Sequence, residues 1–342
     1  MSNAVKLNHF GGPEVLTWEK NSLPRLKNDE VLVKQTSIGL NLIDTYHRSG
    51  LYPVPLPSII GTEGSGIVEE IGSNVSELNI GDRVAYTMSL GAYSEYRNMP
   101  ENILIKLPDY ISNDVAAAIM LKGCTAQYLL KQTYKVKKGD TVLIHAAAGG
   151  VGLIACQWAK HLGATVIGTV GSEEKAEMVL NYGCDFPINY NKENFLQRVF
   201  EITNGKKLPV VYDSVGKLTF LDSMKCLQTR GLLVSYGNAS GPPDDLDVLT
   251  LMKHGSLFLT RPTLADYTLN RDQLLNTAND LFETIKAGAI KVEINQKYSL
   301  ENVKDAHNDI EQRKTTGSTV LQTSIWLFIE SKNSSLFFVG LI

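Results

Sequence analysis

The sequence has 342 residues, of which 43% are hydrophobic and 20% charged, and its formal net charge is −3. This length exceeds what one hydrophobic core usually supports, so we expect two domains. The 33 basic and 36 acidic residues are mixed along the chain, and such a balance gives no electrostatic footprint for nucleic acid or for an anionic membrane.

The first hundred residues are predicted to be rich in short strands. The N-terminus, Met1 to Lys6, lacks the apolar core of a signal peptide. Val31 to Thr36 and Gly66 to Gly72 are β-branched runs, and turn residues such as Gly11 to Pro13 and Asn79 to Asp82 punctuate this half. Several short strands with frequent turns favour a compact barrel-like domain.

From about Ala126 onward, strands and helices alternate. The predicted segments are a strand at Thr141 to His145, a helix at Leu153 to Leu162, a strand at Ala164 to Val170, a helix at Glu173 to Tyr182, and strands at Val210 to Tyr212, Leu232 to Ser235 and Leu257 to Leu259. This alternation predicts an α/β fold with a doubly wound parallel sheet covered by helices.

The last part of the chain after Thr263 is predicted to contain helices at Arg271 to Ala287 and Leu300 to Ile310 and a strand at Ser318 to Leu321. We therefore divide the chain into a discontinuous domain, residues 1–125 with 263–322, a second domain, residues 126–262, and an apolar tail, residues 323–342. The apolar runs of the tail are shorter than the roughly 20 residues of a membrane span. A tail packed on the surface, or a mobile appendage, is favoured over an anchor.

The four cysteines, Cys124, Cys156, Cys184 and Cys226, form no CxxC pair. This spacing speaks against a zinc ribbon or a thioredoxin-like site, and cysteines in apolar surroundings are usually small core residues. Scattered cysteines without a pairing motif fit a reducing cytosol, so we expect a cytoplasmic protein.

A glycine-rich loop from His145 to Gly152 is the sharpest motif. Laid on the GxGxxG fingerprint, Ala147 takes the first glycine position, Gly149 the second and Gly152 the third. The alanine weakens the bare pattern, but the loop follows a predicted strand and opens a helix, which is the context the motif requires. Because phosphate binds well at a helix N-terminus, we predict dinucleotide binding, with Gly149, Gly150 and Val151 near the phosphates.

The choice of cofactor is predicted from the end of the second strand of this unit. NAD enzymes commonly place Asp or Glu there to hold the ribose 2′-hydroxyl, whereas this chain has Gly168 to Ser172. Lys175 follows one helical turn later and can pair with a 2′-phosphate; the alternative is a solvated lysine beside Glu173 and Glu174. The pattern predicts NADPH over NADH.

Eight ordered segments resemble the zinc-free quinone oxidoreductases of the medium-chain dehydrogenase/reductase family, which include zeta-crystallin. They are Gly11 to Leu16, Asn41 to Tyr46, Arg48 to Pro53, Gly61 to Gly64, Leu121 to Thr125, Ala146 to Gly152, Tyr212 to Gly216 and Tyr236 to Asn238. The resemblance implies a Rossmann NADPH-binding domain beside a β-rich GroES-like barrel domain, and reduction of small quinones. It ends at Gln322.

Two departures from the zinc-dependent relatives predict an enzyme without metal. A cysteine ligand is expected at the position of Asn41, and a histidine ligand where the chain has Thr62. Catalytic zinc needs three protein ligands, and these changes remove two of them. His47 and His145 are interpreted as structural rather than as ligands.

The resemblance also implies roles for individual residues. Asn41, Leu42, Ile43, Asp44, Thr45 and Tyr46 are expected to line the nicotinamide side of the cleft. Asn41 and Asp44 can bond ribose or carboxamide groups there, or alternatively cap the loop. Tyr46 and Tyr52, together with Asn41, are the candidate catalytic residues, since a phenol can stack on a quinone and donate to a developing oxyanion. Each tyrosine is alternatively a buried structural residue.

The remaining predicted cofactor contacts lie along the Rossmann domain and near the C-terminus. They are Ser172, Lys175 and Tyr190 around the 2′-phosphate, Tyr128 and Tyr236 to Asn238 near the pyrophosphate and nicotinamide, and Gly171, Ser214 and Arg313. Relatives often form homodimers through a strand that corresponds to Gly255 to Thr260, a run that suits either an edge or an inner strand.

Two alternative functions remain open at this point. Reduction of an activated alkene in an enal, enone or enoyl thioester uses the same hydride geometry. A crystallin-like or RNA-binding role belongs to a different class, and the absence of a basic stripe argues against RNA as the main partner.

Overall fold

A computed structural model describes residues 2–323. The strands in this range are β1 (Ser2–Leu7), β2 (Leu16–Asn21), β3 (Glu30–Leu40), β4 (Ser58–Ile59), β5 (Glu63–Ile71), β6 (Arg83–Thr87), β7 (Tyr96–Pro100), β8 (Ile105–Lys106), β9 (Thr141–Ile144), β10 (Thr165–Val170), β11 (Phe186–Asn189), β12 (Leu208–Asp213), β13 (Leu227–Ser235), β14 (Phe258–Thr260), β15 (Ile294–Ser299) and β16 (Ser318–Gln322). The α-helices are α1 (Leu42–Ser49), α2 (Asn113–Tyr128), α3 (Gly150–His161), α4 (Glu173–Leu180), α5 (Phe195–Ile202), α6 (Phe220–Lys225), α7 (Leu249–Lys253), α8 (Leu264–Tyr267), α9 (Arg271–Lys286) and α10 (Val303–Glu311).

The second half of the chain forms the predicted parallel sheet, with strand order β11-β10-β9-β12-β13-β14. The chain winds from β9 outward to β11 and then returns to β12 and continues to β14. Val142, Leu143 and Ile144 of β9 are all fully buried, as expected of a parallel strand covered by helices on both faces. The order of strands reverses beside β9, and a crevice for ligands forms at the carboxyl ends of such strands.

The β-rich unit consists of a seven-stranded sheet and a three-stranded sheet. The long strand β3 is its centre, because it pairs antiparallel with β5, β7 and β16. The C-terminal strand β16 thus returns to the sheet formed by the N-terminal residues, as the discontinuous arrangement requires. The core of this unit includes Val31, Val33, Ile38, Tyr86 and Leu321.

Helix α2 joins the two units. It begins at the N-cap Ser112, whose side chain accepts a hydrogen bond from the Val115 amide, and it runs through Ala126, where the sequence suggested a soft boundary. It packs against α3 and α9 on one side and against β3 and β5 on the other. Its residues therefore line the interface between the two units.

Several predicted elements differ at their ends. Helix α3 begins at Gly150 rather than Leu153, because Gly149 is the N-cap and the glycine loop itself forms the first turn. Leu300 to Asn302 forms a 3-10 turn that precedes α10 instead of belonging to one helix. The N-terminal part of the chain, for which only strands were predicted, also contains helix α1.

The four cysteines are buried and unpaired, as predicted. The segment Gly255 to Thr260, which suited either an edge or an inner strand, contains β14, and β14 lies at the edge of the parallel sheet. The apolar tail lies outside the described residues apart from Thr323. Within the described part of the chain, no helix is both long and apolar enough to cross a bilayer.

Candidate active site

A cleft of about 740 Å³ separates the carboxyl edge of the parallel sheet from the β-rich unit. Most of the predicted site residues line it, and they come from both units. They are Asn41, Leu42, Ile43, Tyr46, Tyr52, Tyr128, Gly149, Gly150, Val151, Gly171, Lys175, Tyr190, Ser214, Tyr236, Gly237 and Arg313. Asp44, Thr45, Ser172 and Asn238 are predicted site residues that do not line it.

The glycine loop connects β9 to α3 on one wall of the cleft. A Cβ atom on Gly152 would lie 2.3 Å from the carbonyl oxygen of Ala146, so only glycine permits this close packing of helix and strand. A Cβ atom on Gly149 would meet only that same oxygen, at 3.2 Å, and otherwise point into open space. The first amides of a helix lack partners within the helix and can bind phosphate oxygens.

One end of the cleft presents two cations, Lys175 and Arg313. The Lys175 ammonium donates to the Arg313 carbonyl oxygen at 2.7 Å. Burial and the positive charge of Arg313 lower the pKa of Lys175. Glu173 instead accepts a hydrogen bond from Asn189 at 2.6 Å, so Lys175 is not the solvated partner of this carboxylate.

Ser172 caps α4 instead of facing the cleft. Its hydroxyl oxygen accepts a hydrogen bond from the Lys175 amide at 3.3 Å, and this contact turns the side chain toward the helix. Tyr190 lies close to the loop, since a Cβ atom on Gly171 would be 2.6 Å from the Tyr190 hydroxyl. The glycine therefore leaves room for the ring at this end of the cleft.

Asp44 and Thr45 correct the prediction for the nicotinamide side. Asp44 is fully buried and accepts a hydrogen bond from the Asn41 amide at 2.9 Å, which is the capping alternative. Burial raises the pKa of Asp44 to about 7. Thr45 donates to the Leu42 carbonyl oxygen at 2.8 Å within α1. Both side chains stabilise the start of the helix and leave Asn41, Leu42 and Tyr46 to line the cleft.

The rings of Tyr46 and Tyr52 meet edge to face, with centroids 5.2 Å apart. The Asn238 side chain donates to the Tyr52 hydroxyl at 3.0 Å, and the Asn238 amide donates to the Tyr46 hydroxyl at 3.3 Å. The guanidinium group of Arg261 donates to the same Tyr52 oxygen at 2.8 Å. Asn238 thus holds both phenols from the opposite wall instead of lining the cleft itself.

Sequence reasoning missed Arg261, Lys122 and Glu63. Arg261 and Lys122 line the cleft, and Glu63 is buried beneath it. The Lys122 ammonium lies 3.0 Å from Glu63, and the same carboxylate oxygen accepts a hydrogen bond from Asn41 at 2.9 Å. The sequence offers one sign of the roles of Glu63 and Lys122: each is a charged residue inside a segment of mostly small or apolar residues, Gly61 to Gly64 and Met120 to Cys124.

The positions of the zinc ligands of other dehydrogenases lie in this polar cluster. Asn41 bonds Glu63, and the Thr62 hydroxyl donates to Asp44 at 3.2 Å. Among residues 2–323, no three His, Cys, Asp or Glu side chains are grouped to hold a metal ion. His145 is fully buried, and its two ring nitrogens contact the hydroxyls of Thr169 and Ser223, each at 2.9 Å.

Both halves of the chain match known families. Residues 27–109 match the alcohol dehydrogenase GroES-like domain, and residues 150–284 match the zinc-binding dehydrogenase family. The chain is 52% identical to the quinone oxidoreductase of Pseudomonas aeruginosa over 323 residues, which cover 94% of this chain and 99% of that protein. The chain belongs to the quinone oxidoreductases of the medium-chain dehydrogenase/reductase family.

Other members of the quinone oxidoreductase family agree with this assignment. The crystal structure of Escherichia coli quinone oxidoreductase complexed with NADPH superposes with a TM-score of 0.92 at 48% identity, covering 94% of this chain and 99% of that chain. A 2-haloacrylate reductase from Burkholderia is 46% identical, over 94% of this chain and 99% of that protein. The predicted family and the predicted two-part fold are confirmed.

Proposed function

We propose that this quinone oxidoreductase transfers a hydride from NADPH to small quinones. The observation that carries the proposal is one continuous cleft with cations at one end and two phenols at the other. The cations Lys175 and Arg313 suit a 2′-phosphate, whereas Tyr46 and Tyr52 suit a flat acceptor ring. The glycine loop between these ends suits the pyrophosphate.

The residues of the chain bind and orient the reactants, and NADPH supplies the hydride when bound. The Tyr52 oxygen accepts hydrogen bonds from Asn238 and Arg261, so its own proton is left to donate to a carbonyl oxygen of the quinone. Burial raises the pKa of Tyr46 to about 12, so this phenol keeps its proton at neutral pH. Both groups can stabilise the negative charge that develops on the acceptor oxygen.

The assay that tests this function follows NADPH oxidation with 1,4-benzoquinone, 9,10-phenanthrenequinone and 2-hexenal supplied separately. We expect turnover with the quinones that EDTA does not reduce. A preference for hexenal would replace quinone reduction with alkene reduction and would leave the fold and the cofactor site unaffected.

A second candidate function is reduction of an alkene that carries a carboxylate. The observation that favours it is Arg261, whose guanidinium group lines the cleft and, among the described residues, donates to two uncharged oxygens, the Ser235 carbonyl at 3.0 Å and the Tyr52 hydroxyl at 2.8 Å. A relative at 46% identity is a 2-haloacrylate reductase. Oxidation of NADPH by 2-chloroacrylate, measured beside 1,4-benzoquinone, distinguishes the two acceptors.

Replacing Lys175 with methionine should raise the KM for NADPH about tenfold or more, because a charge-assisted hydrogen bond is worth roughly 1.5–3 kcal/mol. The KM for NADH should stay within about twofold, since NADH lacks the 2′-phosphate. Lys192→Met is the matched control, because Lys192 pairs with Glu173. Equal changes for both cofactors in steady-state kinetics would show that Lys175 does not select the phosphate.

Replacing Tyr52 with phenylalanine should lower kcat/KM for quinones about tenfold and leave the Kd for NADPH unchanged, because the variant loses one hydrogen bond to the acceptor. Tyr298→Phe is the control, since the Tyr298 hydroxyl bonds Asp309 at 2.7 Å and Tyr298 does not line the cleft. A structural role for Tyr52 would instead lower thermal stability and cofactor affinity together.

We further propose that the domains are residues 1–125 with 263–322 and residues 126–262, as the sequence predicts.

We also propose that two chains pair through the edge strand β14. Phe258 and Leu259 on β14 are 59% and 36% exposed, and an exposed apolar edge strand favours pairing. Light scattering should give the mass of a dimer for the native chain and of a monomer for Phe258→Lys. Leu180→Lys, at a residue that is 52% exposed on α4, is the control that should stay dimeric.

A further inference from the structure

The floor of the cleft contains a buried ion pair that the proposed reaction does not use. Lys122 on α2 has 7% of its side chain exposed, Glu63 on β5 has none, and the ammonium and carboxylate lie 3.0 Å apart. Removing two charges from water costs about as much as their attraction returns, so such a pair adds little net stability. Its place in the cleft therefore suggests a role in binding.

Lys122 reaches the floor directly beneath the glycine loop. A Cβ atom on Gly150 would lie 2.6 Å from Cδ of Lys122 and 2.9 Å from its Cε. The absence of a side chain at Gly150 makes room for the lysine stem. The ammonium, one bond beyond Cε, consequently lies near the first turn of α3, where the phosphates of a dinucleotide are expected.

The ammonium retains donors for a ligand. In the part of the chain that the structure describes, it donates a single hydrogen bond, to Glu63, although an ammonium has three N–H groups. Glu63 is satisfied by other donors as well, since it accepts from Asn41 at 2.9 Å and from the Leu121 amide at 2.6 Å. Glu63 thus fixes Lys122 without occupying all of its donors.

We propose that the Lys122 ammonium binds the phosphate on the nicotinamide side of the NADPH pyrophosphate, and that Glu63 is the positioning residue that aims it. This inference rests on the proposed function, because it takes NADPH as the cofactor. The phosphate would then be held from two sides, by backbone amides of the glycine loop and by the buried cation. The nicotinamide side is indicated because Asn41, which shares Glu63 with Lys122, is the N-cap of the helix that carries Tyr46, a phenol proposed above to contact the acceptor.

The test compares NADPH with 2′-AMP, which keeps the adenosine and its 2′-phosphate but lacks the pyrophosphate. Lys122→Met should weaken NADPH binding about 10–100-fold in calorimetric titration and leave 2′-AMP binding unchanged. Glu63→Gln keeps the ammonium but weakens the contact that aims it, so NADPH binding should weaken by less than in Lys122→Met, again with 2′-AMP binding unchanged. Lys175→Met is the reciprocal control, because it should weaken both ligands.

The double variant Lys122→Met/Glu63→Gln removes both charges and covers the case in which Lys122→Met fails to fold with an unpaired Glu63. The double variant should show the same loss of NADPH affinity as Lys122→Met and should bind 2′-AMP as the native protein does. Equal losses for NADPH and 2′-AMP in the lysine variants, or an unchanged Kd for NADPH, would overturn the role of Lys122. If the native protein bound neither ligand, the NADPH function itself would fail instead.

Discussion

Replacing Gly152 with alanine is expected to lower both the free energy of unfolding and the affinity for NADPH. The added Cβ atom would lie 2.3 Å from the Ala146 carbonyl oxygen and 2.7 Å from the Ala147 carbonyl oxygen. Both are backbone atoms of the tightly packed loop, so α3 must move away from β9. We expect a destabilisation of about 3 kcal/mol, at the upper end of what overpacking usually costs.

Gly149→Ala is the matched comparison within the same loop. Gly149 has an extended backbone, φ −78° and ψ 173°, that alanine adopts freely. Its Cβ atom would meet only the Ala146 carbonyl oxygen, at 3.2 Å. Stability should therefore stay within about 0.5 kcal/mol of the native value. The methyl group would nevertheless occupy the space in which the backbone approaches the pyrophosphate, so NADPH affinity should fall more than about tenfold.

Urea unfolding and fluorescence titration with NADPH measure the two effects separately. Gly152→Ala should change both quantities, and Gly149→Ala should change only the affinity. Native stability in Gly152→Ala would show that the loop relaxes around the methyl group, and native affinity in Gly149→Ala would show that the phosphates lie elsewhere.

The features that the sequence predicted correctly are local in the chain. The glycine loop, β9 and the start of α4 are each specified by fewer than about ten consecutive residues, and the alternation of strands and helices follows from hydrophobic pattern. The burial of the cysteines and the family were also predicted from short segments of sequence. Residue types in short windows carry this information without knowledge of the tertiary contacts.

The features that the sequence did not predict depend on contacts between distant segments. Glu63 and Lys122 are 59 positions apart, and Tyr52 and Arg261 are 209 positions apart. The sequence did not decide the roles of Asp44 and Ser172, because a polar side chain at a helix start can either cap the helix or bind a ligand. Only the direction of the side chain decides between these two uses.

A buried chain of hydrogen bonds links Asp44 to His307 below the cleft. The Tyr93 hydroxyl donates to Asp44 at 3.1 Å and lies 2.9 Å from Nε2 of His307. Nδ1 of His307 faces the Arg48 guanidinium at 3.1 Å and must accept, so Nε2 carries the proton of a neutral ring. Asp44 and His307 are both fully buried.

These two residues are expected to give the stability opposite pH dependences that largely cancel. Burial raises the pKa of Asp44 from its usual 3.8 to about 7, so its stabilising contribution is present below about pH 4 and is lost as the pH rises through 7. Burial and Arg48 lower the pKa of His307 from 6.5 to about 3, so its contribution is present above pH 6.5 and is lost as the pH falls toward 3.

Single substitutions should expose the two slopes. Asp44→Asn leaves only the histidine effect, so its stability relative to the native chain should fall by about 2 kcal/mol between roughly pH 7.5 and 5. His307→Gln keeps an acceptor toward Arg48 and a donor toward Tyr93 but cannot titrate, and its relative stability should rise by about 2 kcal/mol over the same interval.

Urea unfolding of the native chain and of both variants at the two pH values provides the measurement. Groups elsewhere in the protein titrate equally in all three chains and cancel in the comparison. Parallel pH profiles for the three proteins would mean that neither buried group has the shifted pKa. Opposite deviations of the two variants from the native profile would show that burial shifts both pKa values and that the two resulting pH dependences of stability offset each other in the native chain.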